Sequence, residues 1–289
     1  MDVLIGIIIV IVMIYLFWQR QELKKFRITR YEMRSDKVRG EIKIVVISDL
    51  HSFTYGTDNK PLLEAVQAAS PDLILIPGDL IVTSKTEKYG IALDFVRKLC
   101  ALSVPVVFCN GNHESKAQLP GSESCIAYGQ YCRQLEQAGV RILNNKSCEI
   151  SVCDTKLCVS GLELPLSCYK KGRKPYLEQD ALRCRLGAAS KERFQILLAH
   201  HPAFAEQYAA WGADMTVCGH NHGGLVCIPG LGSVISPQFV PFPKYDAGEF
   251  RIDGRKLYIS RGLGTHTFHI RICNRAELVV ITVKTAAAG

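Results

Sequence analysis

The chain has 289 residues, 48% of them hydrophobic and 21% charged, with a formal net charge of +8 and twelve cysteines. That length fits one large domain or two ordinary ones, and the balance is that of a folded protein with a sizeable core. No CxxC pair occurs, which argues against a zinc ribbon or a thioredoxin-type site. Most of the cysteines read as small buried hydrophobes in a reducing compartment, not as a disulfide framework.

Val3 to Trp18 is a continuous apolar run whose one weak point is Gly6. At about 1.5 Å per residue it falls somewhat short of a hydrocarbon core of about 30 Å. Tyr15 and Trp18 suit the interface, and local thinning or extension by the flanking residues would close the gap. Met1-Asp2 is no basic leader and Gln19-Arg20-Gln21 is no small-residue cleavage site, so an uncleaved anchor is expected rather than a signal peptide. A buried core helix is the competing reading, disfavoured because no polar face breaks the run. From Gln19 to Arg39 eight basic residues (Arg20, Lys24, Lys25, Arg27, Arg30, Arg34, Lys37 and Arg39) meet only Glu22, Glu32 and Asp36. Most of the net charge therefore lies beside the apolar run, where it can meet anionic headgroups and place the following chain in the cytoplasm. A solvated charged helix would carry the same residues. The rest of the chain has no clear basic stripe, so no nucleic-acid partner is expected. The expected organisation is an anchor over 1–19, a basic juxtamembrane linker over 20–40 and one domain over 41–285. The protein would be a single-pass protein of the cell membrane with its domain facing the cytoplasm.

Beyond Glu41, apolar runs alternate with amphipathic stretches. Ile42–Ser48, Asp72–Ile76 and Pro105–Cys109 predict strands buried on both faces, with helices over Pro61–Ala69 and Tyr89–Leu102 between them. A helix follows around Ala127–Ala138. Short strands are expected near Arg141–Leu143, Cys148–Val152 and Lys156–Gly161, then buried strands at Phe194–Ala199 and Met215–Cys218. The end, Gly248 to Lys284, reads as antiparallel strands with turns at Asp253-Gly254 and Gly262–Gly264. Two facing sheets with helices outside fit this order.

Six of the eight histidines lie in short motifs that each follow an apolar run. The motifs are Asp49-Leu50-His51, Gly78-Asp79, Gly111-Asn112-His113-Glu114, His200-His201-Pro202 and Gly219-His220-Asn221-His222. Any one of them could be a turn or a satisfied core histidine. Together they place oxygen and nitrogen donors for divalent metals at successive strand ends, which points to one centre assembled from distant loops.

This ordered set resembles the calcineurin-like metallophosphoesterases from about Ile44 to Val283. Pro71-Asp72-Leu73, Gly223-Gly224 and Tyr258–Gly264 add to the likeness. It is most similar to the bacterial membrane-attached branch that includes UDP-2,3-diacylglucosamine pyrophosphatases and related phosphodiesterases. The resemblance implies an α/β fold, a four-layer αββα sandwich, here preceded by one N-terminal transmembrane helix. It implies two divalent metal ions (Mn, Fe or Zn), one held by Asp49, His51, Asp79 and His222, the other by Asp79, Asn112, His200 and His220. A bridging hydroxide would attack phosphorus, with His113 as the non-ligand catalytic histidine. The implied activity is hydrolysis of a phosphodiester or pyrophosphate in a phosphorylated small-molecule or lipid-linked substrate. A phosphomonoesterase or protein phosphatase of the same fold is the alternative, and a non-catalytic metal-binding membrane scaffold is the alternative of another class.

Within the H-x-P motif the resemblance selects His200 over His201. His266 and His269 are expected in surface or core roles, and Cys218 and Cys227 in the core. Three positions depart from the pattern of the branch: Val82 stands where an acidic residue is usual, Asn221 replaces Thr, and Leu225 replaces Gln.

Overall fold

The computed structural model describes residues 2–224, 226–228, 230–265 and 271–286. His266, His269 and Leu225 lie outside the described residues. In chain order the elements are α1 (Asp2–Glu22), β1 (Phe26–Ser35), β2 (Glu41–Val46), α2 (Lys60–Ala69), β3 (Leu73–Ile76), α3 (Tyr89–Cys100) and β4 (Val106–Phe108). Next come α4 (Asn112–Ala117), α5 (Ser124–Gln137), β5 (Arg141–Ile142), β6 (Lys146–Val152), β7 (Thr155–Leu162), α6 (Ala181–Leu186) and β8 (Phe194–Ala199). The last are α7 (Ala205–Trp211), β9 (Met215–Cys218), β10 (Val226–Ile228), β11 (Gly232–Ile235), β12 (Gly248–Ile252), β13 (Arg255–Ile259) and β14 (Ala276–Thr285).

Two six-stranded sheets face each other, ordered β1-β14-β2-β3-β4-β5 and β12-β13-β9-β8-β7-β6. Strand periodicity explains why their central strands are apolar throughout. In β2, Ile44 and Val46 join the core between the sheets, while Val45 faces the helices. In β3, Leu73 and Leu75 point inward, and Ile74 packs outward with Leu62, Val66 and Val96. The second sheet does the same: Ile196 and Leu198 face the first sheet, whereas Leu197 and Ala199 pack with Leu182, Phe204 and Tyr208. Covering both faces of a parallel sheet removes the polar alternation. The expected αββα layering is therefore present.

Three features differ from the sequence reading. The stretch read as a basic linker contains β1, ten residues paired in parallel with β14. Its apolar residues alternate between faces, Phe26 and Ile28 toward the helices, Tyr31 and Met33 toward the second sheet. The intervening charges hid that alternation, because an edge strand can send Arg27, Arg30, Glu32 and Arg34 into solvent. Second, the segment after Gly262–Gly264 does not return beside β13. β13 pairs with β9, whereas β14 crosses to the other sheet between β1 and β2. Third, α4, α6 and α7 are too short, at six or seven residues, to carry a readable helical period.

The N-terminal helix is longer than its apolar run. Leu4–Glu22 is long and apolar enough to cross a membrane by length and composition, and only 6% of the span is buried. Only Leu23–Lys25 separate α1 from β1, and their amides donate back to the carbonyls of Gln19, Gln21 and Glu22. The Gln19 side chain also donates to the Arg271 carbonyl at 3.0 Å, and Arg275 pairs with Glu22.

β1 belongs to the folded body through Glu277 as well as through its ladder. The buried Glu277 carboxylate accepts from Thr29 Oγ1 at 2.7 Å, Arg27 Nη2 at 3.1 Å and the Arg261 amide at 3.0 Å. A fragment starting at Lys24 is expected to fold with near full stability. One starting at Gly40 uncovers β14 and strips Glu277 of two partners, costing about 3 kcal/mol or more in urea unfolding. Equal midpoints for the two fragments would contradict this placement of β1.

Candidate metal centre

The strands that carry the motifs are parallel to their neighbours within each sheet. β2, β3 and β4 run together in one sheet, β8, β9 and β13 in the other. Their carboxyl ends therefore lie on one side of the molecule, the usual place for a site in such sheets. The loops beyond them are laced by backbone hydrogen bonds. The Asp49 amide donates to Gly78 O at 3.1 Å, the His51 amide to Asp79 O at 3.0 Å, and the Gly219 amide to His200 O at 3.0 Å.

The turns are tight enough to force left-handed backbone on residues with side chains. Asp49, His51, Asp79, His220 and His222 have φ of 51°, 51°, 56°, 69° and 51°. Such conformations cost energy and persist where the surroundings over-determine them. Two glycines make room for the carboxylates. A Cβ on Gly111 would lie 2.3 Å from Asp79 Oδ1, and one on Gly219 would lie 2.2 Å from Asp49 Oδ2.

Asp49, His51, Asp79, His200 and His222 are buried and converge. His51 and His222 bring their Nε2 atoms to 3.1 Å, and His222 Nε2 lies 3.4 Å from Asp49 Oδ1. Asp79 Oδ2 lies 3.2 Å from His200 Nε2 and 3.8 Å from His51 Nε2. Among the described residues, three groups of ligand atoms, each within 4.8 Å of one another, could hold a metal ion: Asp49 with His51 and His222, His51 with Asp79 and His113, and Asp49 with Asp79 and His200. The His220 ring packs 5.3 Å from that of His200 between centroids, and its amide donates to Asp49 Oδ1 at 3.0 Å. Asn112 opens α4 beside His113, whose amide donates to Asp79 Oδ1 at 2.9 Å.

The electrostatics favour a cation. Burial pushes the Asp49 carboxyl up to about 6. Burial opposes the charge on Asp79 too, but His200, His113 and His51 hold its carboxyl well below the usual range. Burial alone would depress His200, yet Asp79 and Asp49 raise it to about 9. A pocket that draws a proton onto a buried imidazole is one that attracts positive charge. Among the described residues Asn112 Oδ1 and His220 Nε2 are buried with no hydrogen-bond partner, as expected of atoms aimed at a metal. The donor set of carboxylate, imidazole and amide oxygen suits divalent ions. His200 Nδ1 donates to the Pro77 carbonyl at 3.0 Å, which orients its Nε2 toward the carboxylates.

His201 has a different role. Its Nδ1 accepts from the Ala203 amide at 3.2 Å and its Nε2 lies 2.7 Å from Gln238 Oε1. Burial pushes its pKa down to about 3, so it stays a neutral structural ring. Cys218 and Cys227 are buried, Cys218 within the core beneath the second sheet. Asn221 donates to the Tyr245 carbonyl at 2.6 Å and fixes the turn between the two late histidines.

Sequence reasoning passed over three residues. Glu114 is fully buried and accepts four backbone amides, from Asp79 and Gly111 on Oε2 and from Leu80 and Ile81 on Oε1, at 2.8 to 3.2 Å. Burial and then the Asp79 charge push its carboxyl up, against the pull of those amides. It clamps the turn that presents Asp79, and its place in the Gly-Asn-His-Glu motif was the available signal. Arg271, also buried, donates to the carbonyls of Arg261 and Gly264 at 2.8 and 2.7 Å. It thereby holds the loop that passes over Asp49; nothing in the sequence marked it. Thr83, one residue beyond Val82, binds His113. Its amide donates to His113 Nδ1 at 3.2 Å and its hydroxyl to the His113 carbonyl at 2.8 Å. Burial lowers the His113 pKa.

Glu114→Gln is expected to leave two amides without an acceptor. It should lower stability by about 2 kcal/mol or more in urea unfolding. Calorimetric titration should also show weaker divalent-metal binding, since Asp79 loses its clamp.

The profile of the calcineurin-like phosphoesterase family matches residues 42–224. The metallophosphoesterase YkuE of Bacillus subtilis is 28% identical over 248 residues, covering 84% of this chain and 79% of its own. The phosphodiesterase YaeI of Escherichia coli is 26% identical over 243 residues, covering 83% of this chain and 81% of its own. Among solved structures, the phosphopantetheinyl hydrolase PptH of Mycobacterium tuberculosis is similar with a TM-score of 0.47 at 16% identity, over 77% of this chain and 89% of that one. With the family profile spanning the strand ends that carry the Asp and His cluster, the chain belongs to the calcineurin-like phosphoesterases and is a metal-dependent phosphoester hydrolase.

Proposed function

We propose that the protein is a membrane-anchored, two-metal phosphohydrolase that cleaves a phosphodiester or pyrophosphate bond. The observation that carries this reading is the placement of Asp79 Oδ2 between His51 Nε2 and His200 Nε2, at 3.8 and 3.2 Å. One carboxylate is thus shared between two clusters of donors. Asp49, His51, Asp79 and His222 would hold one ion, and Asp79, Asn112, His200 and His220 the other. Manganese, iron and zinc are all compatible with these donors. A bound pair of divalent ions supplies an acidified water and takes up charge on phosphoryl oxygens.

The protein supplies the proton donor. The Thr83 amide can donate only to an unprotonated Nδ1, so the neutral His113 ring carries its proton on Nε2. That tautomer can donate to a phosphoryl oxygen or to the leaving group. The similarity to YaeI, which is named a phosphodiesterase, supports the diester reading. The length of α1 and the basic residues that follow it support an anchor, with the folded body from Phe26 onward in the cytoplasm. An anchored site next to a bilayer suits a lipid-linked phosphate, with a soluble phosphorylated molecule as the other substrate class.

Purified full-length protein in detergent is expected to hydrolyse bis-p-nitrophenyl phosphate with added manganese, and to lose that activity on chelation. No turnover with any divalent metal would overturn the proposal, and faster cleavage of the monoester would favour a phosphomonoesterase or protein phosphatase. Asp79→Ala should lose both metals by elemental analysis. His113→Ala should keep them and lose about 10²–10⁴-fold in rate.

Thr83→Val should keep both metals and lose about tenfold in rate, with Thr83→Ser restoring most of it. The loss should be larger for poor alkoxide leaving groups than for nitrophenolate. A uniform loss across leaving groups would mean that Thr83 serves only the fold.

A further inference from the structure

The helix α1 is not the only apolar surface that faces outward. The β10–β11 hairpin and the loop after it expose Ile228, Leu231, Phe239 and Phe242, at 45, 64, 46 and 62%. These four stand at a hairpin tip and on a loop that folds back on β11, where the Phe242 amide donates to the Val234 carbonyl at 3.0 Å.

Basic charge flanks them on one side. Lys170, Lys171, Arg173 and Lys174 are all exposed, and no acidic residue falls between the first and the last. Lys171 Nζ lies 5.0 Å from the centroid of the Phe239 ring, and the Gly172 amide donates to Gln238 O at 3.1 Å. On the other side the hairpin connects to the end of α1. Val226 bridges Ile272, the Arg271 amide and carbonyl bind the Gln19 side chain at 3.3 and 3.0 Å, and Arg275 pairs with Glu22. The hairpin is thus linked by contacts to the C-terminal end of α1 on one side and, through the loop after it, to the basic loop on the other. It lies directly after the Gly219–Gly224 turn that carries His220 and His222.

We propose that this surface is a second membrane contact, in which the hairpin and loop place their apolar side chains at the headgroup boundary of an anionic bilayer and the four cations meet lipid phosphates. Apolar side chains raised on loops and flanked by lysine and arginine are the pattern of interfacial insertion. The exposed cations and the hairpin's link to α1 favour an anionic bilayer over a protein partner. The inference rests on α1 crossing the same bilayer. Its consequence is orientation: the face of the molecule next to the metal centre turns toward the lipid surface.

The test uses the full-length protein in nanodiscs of phosphatidylglycerol carrying a photoactivatable headgroup-proximal probe, with crosslinks mapped by peptide mass spectrometry. Crosslinks are expected on α1 and on peptides spanning 170–176 and 226–243. Leu231→Ser with Phe242→Ser should reduce those on 226–243 at least fivefold and leave α1 labelled, with turnover of bis-p-nitrophenyl phosphate as the control for folding. Reversing Lys170, Lys171, Arg173 and Lys174 to Glu should reduce crosslinks on both loops. Labelling of α1 alone would overturn the proposal and assign the surface to some other partner. Undiminished loop labelling in neutral phosphatidylcholine would overturn the part given to the cations. Absence of label from α1 as well would refute the anchor instead.

Discussion

Two carboxylates that water does not reach, Asp49 and Asp79, set the terms for the rest of the molecule. Burying an ionised group is expensive unless it is paired and hydrogen-bonded. The architecture around them answers that cost from several directions. Backbone amides of His113 and His220 donate to them, His51, His200 and His222 surround them, and glycines stand wherever a Cβ would collide with them. Glu114, a third buried carboxylate, gathers the amides of Asp79, Leu80 and Ile81 in the turn that presents Asp79. None of these devices is local in sequence. They meet because parallel strands of both sheets end on the same side and their loops hydrogen-bond to one another.

The same constraint explains what the sequence revealed and what it concealed. Chemistry at strand ends was legible because every ligand type sits one to four residues past an apolar run, and a run buried on both faces is easy to see. The central strands and the longer helices followed for the same reason. β1 was hidden because its charges mask a period of two, and a basic stretch beside an apolar helix invites a reading as linker. α4, α6 and α7 were hidden because a helix of two turns has no measurable period. The crossing of β14 to the opposite sheet is a tertiary choice that no local pattern encodes.

Within the site, the Asp and His side chains that converge were legible and residues that position them mostly were not. Asp, Asn and His in ordered motifs have few competing explanations once taken together. Thr83 and Arg271 act through hydrogen bonds to a ring nitrogen and to backbone carbonyls, and such roles carry no compositional mark. Val82 shows how this misleads. Read alone it is a lost acidic partner, yet the next residue supplies His113 with an amide on the ring and a hydroxyl on the carbonyl. That partner orients the histidine without adding negative charge, in a pocket that already holds three buried carboxylates.

The three residues between α1 and β1 have a mechanical meaning. A long flexible tether would let a catalytic body sweep a wide volume above a membrane and sample substrates at many heights. Here the chain passes from the helix through one hydrogen-bonded turn straight into an edge strand, and Gln19 and Glu22 are fastened to the far end of the sequence. With α1 across a bilayer, the body would be a fixed mount, not a leash. Its reach would be limited to one narrow layer of depth, so selection among phosphates would begin with where they lie relative to the lipid surface, before any group in the pocket touches them.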